Sequence, residues 1–136
     1  MSYKVFISST QKDLELARDL SRRLNEAGVE VFSVEKSVAP GEMIMTRIEQ
    51  GLRESDEVIV ILTDNSIDSP WVMSELGAAF SLHKRVTPVV LGVEPSEIPP
   101  MVRHLISVKY SDLEDYIAEL AERTGGVATA HPATPS

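Results

Sequence analysis

Short runs of apolar residues alternate along the chain with segments in which apolar residues recur at every third or fourth position. The short runs are typical of buried strands, and the wider spacing is typical of amphipathic helices. The predicted strands are Val5–Ile7, Val29–Val34, Val58–Leu62, Val86–Val93 and Leu105–Tyr110. The predicted helices contain the apolar stripes of residues 14–27, 44–52, 70–83 and 113–121.

The order of these elements predicts the fold class. Strands that alternate with helices form right-handed crossovers, which place the strands in a parallel sheet and the helices on both of its faces. We expect a flavodoxin-like α/β fold with three α/β/α layers and a five-stranded parallel sheet of order 2-1-3-4-5. Residues 1–124 are assigned to this domain. Residues 125–136, rich in Ala, Thr, Pro and Gly, are expected to form a disordered tail or linker.

Three local features refine these elements. Pro88 lacks an N–H, so it fits only the start of a strand or an edge of the sheet. Gly51 mildly weakens the second helix, because glycine is a poor helix former. Thr10 and Asp13 resemble a capping box at the start of the first helix.

Composition narrows the classes of function. The 136 residues carry a formal net charge of −8, which disfavours nucleic-acid binding through a basic surface. The chain has no cysteine, so disulfides, thiolate metal sites and thiol catalysis are excluded. The three histidines share no ligand spacing, and no metal site is expected. Because no signal peptide or apolar run near the ~18 residues of a membrane span is present, a cytoplasmic location without a membrane span is expected.

The predicted topology gathers polar residues at one crevice. In a sheet of this order, ligands bind at the carboxyl ends of the strands, where the first and third strands lie side by side. Ser8 and Ser9 follow the first strand there, and Asn65 and Ser66 follow the third. Their side chains are candidates for contact with a ligand, and ordinary turn capping is an equally good interpretation.

The helix that leaves this crevice carries the chain's one tryptophan and a glutamate. Ser69 is expected to cap this helix and Pro70 to occupy its first position, where no N–H is required. Trp71 and Glu75 are four residues apart and therefore project from one face. Glu75 is either a catalytic group or a solvated residue beside the helix dipole. Trp71 either packs to fix this helix or contacts a ligand.

The same segments resemble a Toll/interleukin-1 receptor (TIR) domain of the bacterial kind, over about residues 3–123. The matching segments are Val5–Ser9 with Asp13 after it, Gly28–Phe32, Pro40–Gly41 before Ile48, Glu54–Asp56, and Ser69–Leu76. Many TIR domains hydrolyse NAD⁺, and some cyclise the ADP-ribose product. The resemblance therefore implies that NAD⁺ is the substrate, with no other cofactor, and that Glu75 is the catalytic glutamate. The chain departs from the pattern at Ser9, where relatives often carry an aromatic residue or histidine.

The chemistry of this reaction needs only one carboxylate. Neutral nicotinamide leaves readily from a cationic precursor, so the difficult species is the ribosyl cation. A carboxylate near the C1′ carbon stabilises that cation and holds the ribose hydroxyls. We expect Glu75 to act in this way. The residues expected to line the substrate site are Ser8, Ser9, Trp71, Arg47, Asn65 and Ser66.

The loop after the second strand has an expected role in assembly. In TIR relatives this loop, which here contains Pro40 and Gly41, packs against a neighbouring subunit and can complete the active site. The resemblance therefore implies self-association through TIR–TIR contacts. Arg47 and Lys36 are candidates for charges that face phosphate, although most such residues are simply solvated.

Three alternative functions fit parts of the sequence. A response-regulator receiver shares the topology, but it needs carboxylates at the end of the first strand to hold Mg²⁺, and Ser8–Thr10 supplies none. A nucleoside deoxyribosyltransferase also places a glutamate beside a ribosyl carbon in a similar fold. A non-catalytic TIR domain serves as a scaffold through the Pro40–Gly41 loop. Weak activity alone and strong activity after assembly would combine both TIR functions.

Overall fold

The computed structural model describes residues 3–32 and 44–124, with the side chains of residues 48–124 in the second range. The strands are Lys4–Ser8 (β1), Glu30–Phe32 (β2), Glu57–Leu62 (β3), Arg85–Val90 (β4) and Val108–Lys109 (β5). The described helices are Leu14–Glu26 (α1), Ile44–Glu54 (α2), Pro70–Ser81 (α3) and Leu113–Thr124 (α4). Short 3₁₀ turns cover Gln11–Asp13, Pro95–Glu97 and Tyr110–Asp112.

The strands form one sheet in the order β2-β1-β3-β4-β5, and every neighbouring pair is parallel. β3 lies at the centre, where Val58 is in register with Phe6 of β1 and with Val86 of β4. The flavodoxin-like order predicted from the sequence is confirmed. The carboxyl ends of β1 and β3 are therefore adjacent, as a ligand site at the switch point requires.

Two apolar layers enclose the sheet. Side chains of β3 alternate between them, because successive residues of a strand point to opposite faces. Ile59 and Ile61 pack with residues of α1 and α4, whereas Val58, Val60 and Leu62 pack with residues of α2 and α3. All six residues of β3 are buried, as the continuous apolar run predicted.

Pro88 lies inside β4 and is in register with Val60 of β3. The outer neighbour β5 pairs only with Val89 and Val90, so within the described residues β4 has a strand on one side only at Pro88. Pro88 therefore occupies a local edge of the sheet, which is one of the two positions expected for it. The fourth and fifth strands are both shorter than predicted. β4 ends before Gly92, whose φ of 70° turns the chain away from the sheet.

Gly51 of α2 allows an aromatic ring to pack directly against the helix backbone. The ring of Phe32 stacks on Phe6 with 5.5 Å between the centroids. A Cβ atom built on Gly51 would lie 2.4–2.6 Å from three ring atoms of Phe32. The glycine that looked like a weakness in the helix is thus a requirement of packing.

We expect Gly51→Ala to destabilise the fold by about 1 kcal/mol. Alanine improves helix propensity by about 1 kcal/mol, but forcing a methyl group into packed atoms costs about 1–3 kcal/mol. Gly77 in α3 is the matched control, because a Cβ there has no atom within 4 Å. Thermal unfolding should show a lower melting temperature for Gly51→Ala and a higher one for Gly77→Ala. Equal gains from both substitutions would contradict the packing argument.

A second feature of the fold is a polar cluster centred on Glu57, at the amino end of β3. The carboxylate of Glu57 is fully buried. It accepts hydrogen bonds from the hydroxyls of Tyr3 at 2.7 Å, Thr87 at 2.5 Å and Tyr116, and from the Arg123 guanidinium at 3.1 Å. Burial, together with the adjacent carboxylate, raises the pKa of Tyr3 to about 12 and raises that of Tyr116 as well. Four donors thus compensate one buried charge.

Candidate active site

The helix α3 starts as the sequence predicted. Ser69 is the N-cap, and its hydroxyl accepts a hydrogen bond from the Val72 N–H at 3.2 Å. Pro70 follows as the first helical residue. This start fixes the direction of the helix from the carboxyl end of β3 and carries Glu75 back towards the sheet.

Glu75 is a buried carboxylate with a single described hydrogen-bond partner. Its side chain is only 7% exposed, and the hydroxyl of Ser8 donates to its Oε1 atom at 2.6 Å. Ser8 is fully buried at the end of β1. Burial raises the pKa of Glu75 to about 7, and the hydrogen bond from Ser8 opposes part of that rise. The alternative of a solvated surface glutamate is wrong.

Glu75 opens onto a pocket between α2 and α3, with a volume of about 370 Å³. This size falls within the range of small-molecule sites. One side consists of residues of α2 and the other of residues of α3 and the turn after it. The lining residues are Ile48, Glu49, Leu52, Arg53, Trp71, Ser74, Glu75, Ala78, Ser81 and Leu82. The pocket therefore combines an apolar floor with one deeply placed carboxylate.

Trp71 and Glu75 line the same pocket, as their spacing on one helical face predicted. The side chain of Trp71 is 44% exposed. It is therefore not a core residue, and its ring offers an aromatic surface beside the carboxylate. Glu49 and Arg53 form an exposed ion pair of 3.0 Å on the α2 side.

The adjacent loops are joined by Asp13, a residue for which the sequence predicted only a local role. Its buried carboxylate accepts hydrogen bonds from Thr63 at 2.7 Å and from the side-chain amide of Asn65 at 2.9 Å. Thr10 also donates to it, at 3.2 Å, but makes no capping bond of its own. The expected capping box is thus replaced by a bridge between the loops after β1 and β3.

Asn65 and Ser66 make contacts that fix this turn. The side-chain amide of Asn65 is held by Asp13. Ser66 is fully buried, and its hydroxyl accepts from the Thr63 N–H at 2.8 Å and donates to the Ile61 carbonyl at 2.8 Å. Ser66 therefore holds the turn together, and its buried hydroxyl is not placed to contact a substrate. Ser9 is partly exposed next to Ser8.

Several expected site residues lie outside the described part of the chain. Pro40, Gly41 and Lys36 belong to residues 33–43, and the Arg47 side chain is also outside it. The predicted tail at residues 125–136 is outside it as well. Within residues 3–32 and 44–124, no cluster of potential metal ligands is present. Nor does any helix of this part of the chain have the length and apolar character of a membrane span.

This arrangement suits the stabilisation of a cation that forms near Glu75. A carboxylate in a poorly solvated pocket interacts with a developing positive charge more strongly than one in water. An aromatic face beside it favours a flat or cationic ring. Among the described residues that line the pocket, the other carboxylate is that of Glu49, which is exposed and paired with Arg53.

Comparisons with known proteins identify the family of this chain. A family model described as the TIR domain matches residues 5–123. A probable 2′ cyclic ADP-D-ribose synthase, BdTIR of Brachypodium distachyon, is 28% identical over 123 residues, which are 89% of this chain and 52% of that protein. The NAD⁺ hydrolase TcpC of Escherichia coli O6:H1 is 26% identical over 131 residues, covering 88% of this chain and 43% of that protein. The chain thus spans about half the length of these curated relatives.

Solved structures support the fold independently. The TIR domain of the Toll-related receptor TRR-2 from Hydra magnipapillata superposes with a TM-score of 0.74 at 19% identity, covering 90% of this chain and 97% of that domain. At this level of identity the similarity concerns the fold. Since the family model covers nearly all of the described residues, this chain belongs to the TIR domain family.

Proposed function

We propose that this chain cleaves NAD⁺ at the bond between nicotinamide and the ribose C1′ carbon. The products would be nicotinamide and ADP-ribose or a cyclic ADP-ribose isomer. One observation carries the proposal: Glu75 is buried, accepts a hydrogen bond from Ser8, and lines a pocket together with the exposed ring of Trp71. The names of the relatives as an NAD⁺ hydrolase and a cyclic ADP-ribose synthase support it.

The proposed reaction has two steps: nicotinamide leaves, and a nucleophile then attacks the ribosyl cation. The electron pair of the C1′–N bond moves onto nicotinamide, which leaves as a neutral molecule. Glu75 in its ionised form stabilises the ribosyl cation that remains. Water, or a hydroxyl of the ADP-ribose itself, then attacks C1′ and releases a proton to solvent. Trp71 is the residue that we expect to face the nicotinamide or ribose ring.

Self-assembly is the second part of the proposal. The Pro40–Gly41 loop would pack against a neighbouring copy and complete the substrate site, as the resemblance to TIR relatives implies. The described residues that line the pocket belong to α2, α3 and the turn after α3, and we propose that a neighbouring copy supplies further contacts to the substrate. Activity per molecule should therefore increase with protein concentration.

The test is NAD⁺ turnover followed by chromatography at several protein concentrations. Glu75→Gln should reduce nicotinamide release by about 10²–10³-fold, since it removes the charge that stabilises the cation. The matched control is Glu119→Gln, at an exposed position of α4. The second product separates hydrolysis from cyclisation. Activity should also rise with pH through about 7, because burial raises the pKa of Glu75 to about 7 and only the ionised form acts.

Two outcomes would overturn this proposal. No nicotinamide release from concentrated protein, with Glu75→Gln indistinguishable from the native chain, would leave a scaffold role. Cleavage of free nucleosides in preference to NAD⁺ would favour the deoxyribosyltransferase alternative. Including nucleosides as a second set of substrates separates these results.

A further inference from the structure

Ser8 occupies a position where the strand pattern calls for an apolar residue. Residues of β1 alternate between the two layers, with Val5 and Ile7 in the layer of α1 and α4 and Phe6 in the layer of α2 and α3. Ser8 follows Phe6 by two residues and therefore faces α3. It is fully buried, yet it carries a hydroxyl group. A polar group at such a position needs a specific partner.

That partner is Glu75. The Ser8 hydroxyl has one proton, and it is donated to Oε1 of Glu75 at 2.6 Å. This distance is typical of hydroxyl–carboxylate bonds, which are stronger than bonds between neutral groups. Because Ser8 is the only described donor to Glu75, which lines the pocket, Oε2 has no described hydrogen-bond partner. β1 therefore determines the orientation of a side chain that belongs to α3.

We propose that Ser8 is the positioning residue of this site: its bond to Oε1 fixes the rotamer of Glu75 and reserves Oε2 for the ribose of the substrate. This inference rests on the proposed function. Ser8 itself does not touch the substrate, since it is fully buried behind Glu75. A hydroxyl that donates to a carboxylate also favours the ionised form, which is the form that stabilises a cation.

The other charged groups near this pocket are already paired. On α2, Glu49 and Arg53 line the pocket and form an ion pair with each other. In the 3₁₀ turn that precedes α1, the carboxylate of Asp13 accepts hydrogen bonds from Thr10, Thr63 and Asn65. In the part of the chain with described side chains, Ser8 is thus the group whose removal changes the ionisation of Glu75 most directly.

The experiment compares Ser8→Ala with Ser8→Thr in the full chain. Ser8→Ala should lower kcat for NAD⁺ cleavage about tenfold at pH 6.5 and less at pH 9, with KM changed less than about twofold. The acidic limb of the pH profile should move up by about one pH unit, because the ionised form of Glu75 loses its only donor. Ser8→Thr retains a hydroxyl and should restore the native limb.

A control variant separates positioning from ordinary stability. Ser55→Ala also removes a buried serine, whose hydroxyl donates to the Gly51 carbonyl at 2.6 Å. Ser55 precedes β3, at the amino end of the strands, whereas Ser8 lies at their carboxyl end. It should lower the melting temperature without moving the pH profile. If Ser55→Ala and Ser8→Ala shift the profile equally, Ser8 has only a structural role and the inference fails.

A second measurement does not depend on turnover. NMR titration of glutamate carboxyl carbons should show a higher pKa for Glu75 in Ser8→Ala than in the native chain. An unchanged titration and an unchanged pH profile in an active enzyme would overturn the role of Ser8 alone. Absence of NAD⁺ cleavage by the native chain would overturn the proposed function, and with it the positioning role, even if the titration shifts.

Discussion

Glutamine in place of Glu75 will make the folded chain more stable at pH 8, although it strongly reduces the proposed activity. The ordinary pKa of this carboxyl is 4.5, and burial raises it in the folded chain to about 7. The folded state therefore binds more protons than the unfolded state between these values, and its stability falls as pH rises through that window. Well above pH 7, the burial of ionised Glu75 lowers the free energy of unfolding by about 3 kcal/mol.

The measurement is thermal unfolding of the native chain and Glu75→Gln at pH 5 and pH 8. We expect the variant to gain up to roughly 10 °C at pH 8 and much less at pH 5. Comparing the two proteins at each pH cancels the titration of every other group. Glu119→Gln, on the exposed face of α4, should show no such dependence. Equal melting temperatures for the native chain and Glu75→Gln at pH 8 would show that the carboxylate is solvated.

Glu57→Leu is expected to destabilise the fold by about 3–5 kcal/mol, the largest loss among the substitutions considered. The substitution leaves the buried hydroxyls of Thr87 and Tyr116 without their acceptor, and Arg123 without its ion-pair partner. Removing one member of a buried charged cluster is costly because the remaining polar groups stay desolvated. This loss is a large part of the 5–15 kcal/mol that typically stabilises a domain. Denaturant unfolding at pH 7 measures it.

A combined variant tests the cause of that loss. Replacing Thr87 by Val and Tyr116 by Phe together with Glu57→Leu removes the buried carboxylate and both buried hydroxyls, and the remaining donors, Tyr3 and Arg123, are accessible to water. Replacing a whole buried cluster by apolar groups of similar volume is often neutral or stabilising. We therefore expect the triple variant to recover most of the stability. A triple variant as unstable as Glu57→Leu would indicate that the shape of the cluster matters rather than its charge.

The sheet and its strand order could be predicted from the sequence because each strand is marked by a short run of neighbouring apolar residues. Val58–Leu62 is apolar throughout and had to be covered on both faces, and the alternation of elements then determined the parallel arrangement. The start of α3 was equally local, since a cap and a proline stand together at Ser69 and Pro70. The common face of Trp71 and Glu75 followed from helical geometry alone.

The contacts that define the site were not visible in the sequence, because they join distant segments. Ser8 and Glu75 are separated by 67 positions and Asp13 and Asn65 by 52. A serine or aspartate after a strand is usually a turn residue, so its pattern carries no sign of a distant partner. Glu57 was missed for a related reason. A glutamate at the first position of a strand suggests an exposed end, and its partners lie on β4, on α4 and in the chain preceding β1.

The position of Trp71 has a spectroscopic consequence. Trp71 is the chain's one tryptophan, and it stands half-exposed at the rim of the pocket rather than in either apolar layer. The tryptophan fluorescence of the chain therefore reports on the pocket. Because the ring is half-exposed, its emission wavelength is already close to that of indole in water. Unfolding of the core will change the emission wavelength little. A ring that stacks on Trp71 will quench it strongly, so the chain carries its own fluorescent probe of ligand occupancy.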